Sequence, residues 1–153
     1  MSVAQQEQEL RQQLEALETA LGTPVISGEL GDWVRAVRKA YEAAKRSLGE
    51  QLRLGHRRHF ANILQQDLEM ARQVEQLKEE DQAILEQMEE FGREIERLAS
   101  LAEAVGRHES RAQQFADEIV DKGLMLVARV RKQETALTTW LMEAYQRDRG
   151  TVD

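Results

Sequence analysis

The chain of 153 residues contains no cysteine, which excludes disulfides, thiolate metal sites and thiol nucleophiles. It has a single proline, Pro24, and only 5% aromatic residues, so little interrupts long helices and little suits a sheet. No apolar run approaches the roughly 20 residues that a membrane-spanning helix needs. The opening, MSVAQQEQEL, has neither the basic start nor the apolar stretch of a signal peptide. A cytoplasmic protein with no membrane partner is therefore expected. Histidine occurs three times, which limits any site that depends on imidazole. A net charge of −7 disfavours a nucleic-acid partner held through its phosphates, because the field of the whole protein repels it.

What the chain does have is 41% hydrophobic and 32% charged residues, a balance that suits amphipathic helices. The length fits one core. Val3, Leu10, Leu14, Leu17 and Leu21 recur on one helical face, and Gly22, Thr23, Pro24 and the Ser27-Gly28 pair then mark a connection. A second stripe runs through Leu30, Trp33, Val34, Val37, Tyr41, Ala44, Leu48, Leu52 and Ile63, with Gly49 and Gly55 as places for a kink or a close contact. Asp67 is the expected N-cap of a third helix, whose stripe is Val74, Leu77, Asp81, Ile84, Met88, Phe91, Ile95, Leu98, Ala102 and Val105. After Gly106 a fourth helix carries Ala112, Phe115, Ile119, Leu126, Val130, Leu137, Leu141 and Ala144, with Gly150 as its stop. The expectation is an all-α single domain over 1–153, with helices at about 2–21, 29–64, 68–105 and 109–149. Short connections favour antiparallel neighbours, and so an up-and-down four-helix bundle.

Charge supports adjacency of the second and third helices. Residues 32–58 carry eight Arg/Lys against three Asp/Glu, and residues 67–97 carry eleven acids against four bases. The basic stretch is read as a partner for its own neighbour rather than a nucleic-acid surface, since no stacking aromatics accompany its arginines.

Polar residues at core positions are the informative ones, because a buried ionisable group costs several kcal/mol unless it is paired, hydrogen-bonded or bound to a metal. His56 and His59 continue the second stripe, Asp81 interrupts the third, and Glu134 follows Val130 by one turn. With a turn near Arg107, Asp81 lies level with Gln133 and Glu134. A turn near Gln65 leaves His56 about 10 Å from Asp81 along the bundle, and a turn near Asp67 to Leu68 closes part of that gap. Carboxylates and imidazoles projecting inward from several helices are how iron and manganese sites are built, so His56, His59, Asp81 and Glu134 form a candidate metal belt. The competing arrangement has both histidines solvated and Asp81 paired with Arg129 or Arg57. His108, beside Gly106, is read as a surface residue.

The segment from Leu77 to Leu85, with Glu80 and Asp81 at its centre, resembles the Leu-x-x-Glu-His-x-x-Ile-Leu motif of hemerythrin-like proteins. The run from Val130 through Glu134 to Leu137 resembles their His-x-x-x-Glu-x-x-Leu helix. The resemblance covers about residues 30–150 and implies a bundle that holds a non-haem di-iron centre for oxygen binding or for sensing oxygen, nitric oxide or iron. The family's histidines fall here on Asp81 and Val130, and valine cannot be a ligand. A single-metal or carboxylate-rich site, or a metal-free relic, is what the residues leave.

Two functional expectations follow, and neither involves catalysis, since there is no phosphate loop, zinc-protease helix or nucleophile elbow. One is a hemerythrin-like bundle with a degenerate site for iron or another divalent metal. The other is a metal-free interaction or scaffold module, with a protein partner or a second copy docking on an exposed seam such as Leu10, Leu14, Leu17 and Leu21.

Overall fold

The computed structural model describes residues 2–103 and 109–152, the side chains of Glu109 and of 148–152 apart. All regular structure among the described residues is helical. The elements are α1 (Val3–Gly22), α2 (Leu30–Glu50), a π-helical turn (Gln51–His56), α3 (Arg57–Gln66), a 3-10 turn (Leu68–Met70), α4 (Ala71–Glu103) and α5 (Glu109–Val152). Helix α2, the π turn and α3 follow one another directly, so they form one rod where the sequence predicts one helix. Helix α5 continues through Gly150 to Val152 instead of stopping there. His108, Gly106 and Val105 lie outside the described residues.

Local signals set the helix ends. Ser2 and Gln5 form a reciprocal capping box: the Ser2 amide donates to Gln5 Oε1 at 2.8 Å and the Gln5 amide to Ser2 Oγ at 3.1 Å. Gly28 turns the chain into α2 with φ +85, a conformation open mainly to glycine. Trp33 Nε1 donates to the Thr23 carbonyl at 2.9 Å and ties that connection to α2. Asp67 accepts from the Glu69 amide at 3.0 Å, so it caps the 3-10 turn that leads into α4.

Helix α1 packs on the α2–α3 rod and on α5, and α4 packs on the same rod and on α5. Contacts run in opposite directions along each pair. Arg38 meets Glu96 while His56 meets Asp81, and Lys122 meets Glu94 while Gln133 meets Leu77. On the other side, Glu18 meets Arg131 and Trp33 meets Thr23. The expected charge attraction between the rod and α4 is carried among the described residues by one Arg–Glu pair, Arg38 with Glu96 at 2.8 Å. The acids Glu80 and Glu94 turn to Arg129 and Lys122 of α5 instead.

Leu10, Leu14, Leu17 and Leu21 are no more than 2% exposed within the single chain. Each fully buried leucine stabilises by about 1.5–3 kcal/mol relative to leaving it in water, so α1 is bound to its own bundle. The seam suggested for a second copy is thus already used. No helix among the described residues is long and apolar enough to cross a membrane.

The core comes in two clusters. The larger one draws Leu17, Trp33, Leu48, Phe91, Ile119 and their neighbours from α1, α2, α4 and α5. The smaller one, with Phe60, Ile63, Met70, Val74, Leu77, Leu137 and Ala144, contains no residue of α1.

Packing of the larger cluster is tight at Gly123, where a Cβ would fall 2.5 Å from Leu21 Cδ1 and 2.8 Å from Phe91 Cζ. Glycine-to-alanine ordinarily favours a helix by up to about 1 kcal/mol. Here the rigid Phe91 ring would have to move, so Gly123→Ala is expected to destabilise by about 1–3 kcal/mol in urea unfolding. A stabilised variant would mean that the contact relaxes freely.

Candidate functional site

The site lies where the rod departs from α-helical geometry. Two α turns beyond Leu48 would bring about residue 55 back to the core. The i→i+5 bonding of the π turn accommodates an extra residue, so Gly55 and His56 are both buried and the stripe resumes at Phe60 and Ile63. Leu52, placed on the inner face by its spacing, is half-buried and packs against the larger core cluster. Gly55 leaves room for the Gln51 amide, which approaches so closely that a Cβ would meet Gln51 Oε1 at 2.5 Å. At the far end of the rod, the turn at Asp67 and the 3-10 segment place its midpoint between residues 56 and 81. His56 and Asp81 therefore lie level, and the gap that an earlier turn would leave is closed.

His56 is 0% exposed, the opposite of a solvated helix-end histidine. Its Nδ1 lies 2.8 Å from Asp81 Oδ2 and 3.0 Å from Asp81 Oδ1, and its Nε2 contacts Glu134 Oε1. Carboxylates only accept when ionised, and a neutral imidazole has a single N–H. Donating at both nitrogens requires the imidazolium. Burial works against that charge, but the hydrogen bonds to Asp81 and Glu134 and their negative charges outweigh it, and the pKa is raised to about 9.

Both carboxylates are themselves held. Gln133 Nε2 donates to Asp81 Oδ1 at 2.9 Å and to the Leu77 carbonyl at 2.8 Å, and Gln51 Nε2 donates to Glu134 Oε2 at 3.3 Å. Phe60 closes the site with its ring edge-on to His56 at 6.0 Å. Arg129 does not pair with Asp81. It bonds Glu80, and its Nη1 donates to Gln87 Oε1 at 2.6 Å.

Of the four residues proposed from sequence, three meet: His56, Asp81 and Glu134. His59 does not join them. It faces α1, with Nε2 3.6 Å from Glu7 Oε1, and its Nδ1 is buried without a hydrogen-bond partner. Gln51 belongs to the site but was not singled out, whereas Gly55, marked as a place for a kink or a close contact, lies in the π turn against the Gln51 amide. Their signal is spacing, since Gln51 and Gly55 carry on from Ala44 and Leu48 at three- and four-residue steps. The glycines mark an irregularity in this helix, but not that it takes the form of a π turn.

These residues do not fit a di-iron centre. Asp81 and Glu134 approach opposite nitrogens of one ring, so they cannot converge with it on a single ion. On the Nε2 side the donors reduce to one imidazole and one carboxylate, while Asp81 bonds the opposite nitrogen and only fixes the orientation of the ring. Among the described residues no group of three or more His, Asp or Glu is placed to hold a metal ion. Val130, where the resemblance would require a histidine, is buried in the apolar core.

Against known proteins, the chain matches no family model, no curated protein and no solved structure.

Proposed function

We propose that the chain is a hemerythrin-like up-and-down four-helix bundle without a working metal centre, serving as a binding or scaffold module rather than as an oxygen carrier or an enzyme. The antiparallel contacts of α1 and α4 with the rod and α5 support the bundle topology. One observation carries the functional reading: His56 is engaged at both ring nitrogens by carboxylates from α4 and α5. The His56 imidazolium bridges α4 and α5 where the hemerythrin resemblance would place metal, so the ring and its two carboxylates satisfy one another.

Protein reconstituted anaerobically with ferrous iron and then desalted is expected to retain well below one equivalent of metal by elemental analysis. Retention of a full equivalent, lost in Asp81→Ala or Glu134→Ala, would overturn the reading.

A further inference from the structure

Of the seven large hydrophobic side chains exposed among the described residues, α5 carries four, and three of these share one line. Steps of three, four or seven residues lead from Leu124 through Ala128, Thr135, Thr138 and Met142 to Tyr145, the spacing of a coiled-coil seam, over about 32 Å of helix. The seam lies on the side of α5 nearest α1, where Arg131 pairs with Glu18 at 2.6 Å. Helix α1 packs mainly on the rod, however, and leaves the later part of the seam open. Val127, five full turns before Tyr145 and so at the same angle around the axis, is 1% exposed, whereas Tyr145 is 43% and Met142 58% exposed.

This strip is ready to lose water. In a chain with 32% charged residues, the run from Thr135 to Met142 has none, and the one ion along the seam, Arg131, is neutralised by Glu18. Thr135 and Thr138 donate their hydroxyl protons to the carbonyls of Arg131 and Glu134, at 3.0 and 3.1 Å, so covering them strands no donor. Depletion of charge with Met and Tyr exposed is the composition of an interface centre. The occupant must itself be neutral along the same length, because a charged strip would be desolvated without a partner. Helix α5 meets that requirement, and its order of small and large side chains is self-complementary. When two α5 helices run antiparallel about a two-fold axis between Thr135 and Thr138, Ala128 of each copy faces Tyr145 of the other, Thr135 faces Thr138, and Met142 lies on the aliphatic stem of Arg131. We infer that the chain forms a two-fold dimer through this seam. The inference rests on reading the bundle as a scaffold module and names its partner as a second copy.

The test is sedimentation equilibrium of the full chain, freed of metal, from low to high micromolar concentration. A reversible monomer–dimer equilibrium is expected. Tyr145→Glu and Met142→Lys, the latter setting like charges against Arg131 across the axis, should each weaken it tenfold or more while leaving the urea midpoint unchanged, since both side chains are exposed. Leu68→Glu, at the most exposed leucine and away from α5, should leave association as it is. Mixing Tyr145→Glu with Ala128→Lys should restore a dimer, because the two substituted positions then face each other. A monomer at every concentration, the result if a helix of another protein fills the seam, overturns the inference. So does a dimer that these substitutions do not move, that Leu68→Glu weakens equally, or that mixing fails to restore. Iron retention reports on His56 and association on the seam of α5, so the two readings can fail separately.

Discussion

Asp81→Ala is expected to lower the free energy of unfolding by about 3–5 kcal/mol, read from the urea midpoint at pH 7. Removing one member of a buried ion pair leaves the other charge without its partner, and His56 at 0% exposure has no route to water. Gln133 also loses its side-chain acceptor. Against a typical total stability of about 5–15 kcal/mol, the loss is a large fraction. The pair His56→Leu and Asp81→Leu together should behave differently, because matched apolar groups remove both desolvation costs at once. That double variant still takes the Asp81 acceptor from Gln133 and leaves Glu134 to Gln51 alone, so it is expected to unfold below the wild-type midpoint but well short of the sum of the single effects. A cost below about 1 kcal/mol for Asp81→Ala would show that no ion pair is buried there.

Alkaline conditions should loosen the fold before any lysine titrates. His56 has a folded pKa of about 9, above the roughly 6.5 of an unfolded histidine. A group raised on folding contributes its full stability below the unfolded value and loses it as pH rises through the folded one. The shift corresponds to about 3 kcal/mol, present below about pH 6.5, declining to about pH 9 and gone above it. The groups facing the ring are the carboxylates Asp81 and Glu134, the amides of Gln51 and Gln133 behind them, and Phe60. Urea midpoints measured from pH 6 to 9.5 should fall in the wild type and stay level in the double leucine variant. A flat wild-type profile would rule out a buried imidazolium.

Much of this arrangement can be read from residue order alone. Spacing of apolar residues places every helix, and counting from the turns puts Asp81 level with Gln133, as their 2.9 Å hydrogen bond shows. His56 is harder to place, for two physical reasons. A turn some three residues later shifts the residue of α4 that faces His56 by about six or seven positions, roughly 10 Å or two helical turns, and the π turn rotates everything beyond it. His59 continues the same stripe on paper, yet that rotation hands it to α1 and Glu7. The partner choice of Arg129 is likewise invisible in sequence, because Glu80 and Asp81 are adjacent and only the helix face separates their roles.

Dividing the core in two has a consequence for how the molecule comes apart. The larger cluster binds four helical segments, whereas the smaller one joins only α3, the start of α4 and its lead-in turn, and the later part of α5. The charged triad links the π turn to α4 and α5 near the boundary, and both ring nitrogens donate only while the imidazole keeps its second proton. The thinner end can therefore open as a cooperative unit of its own, and the proton on His56 is the latch between a local fluctuation and global unfolding.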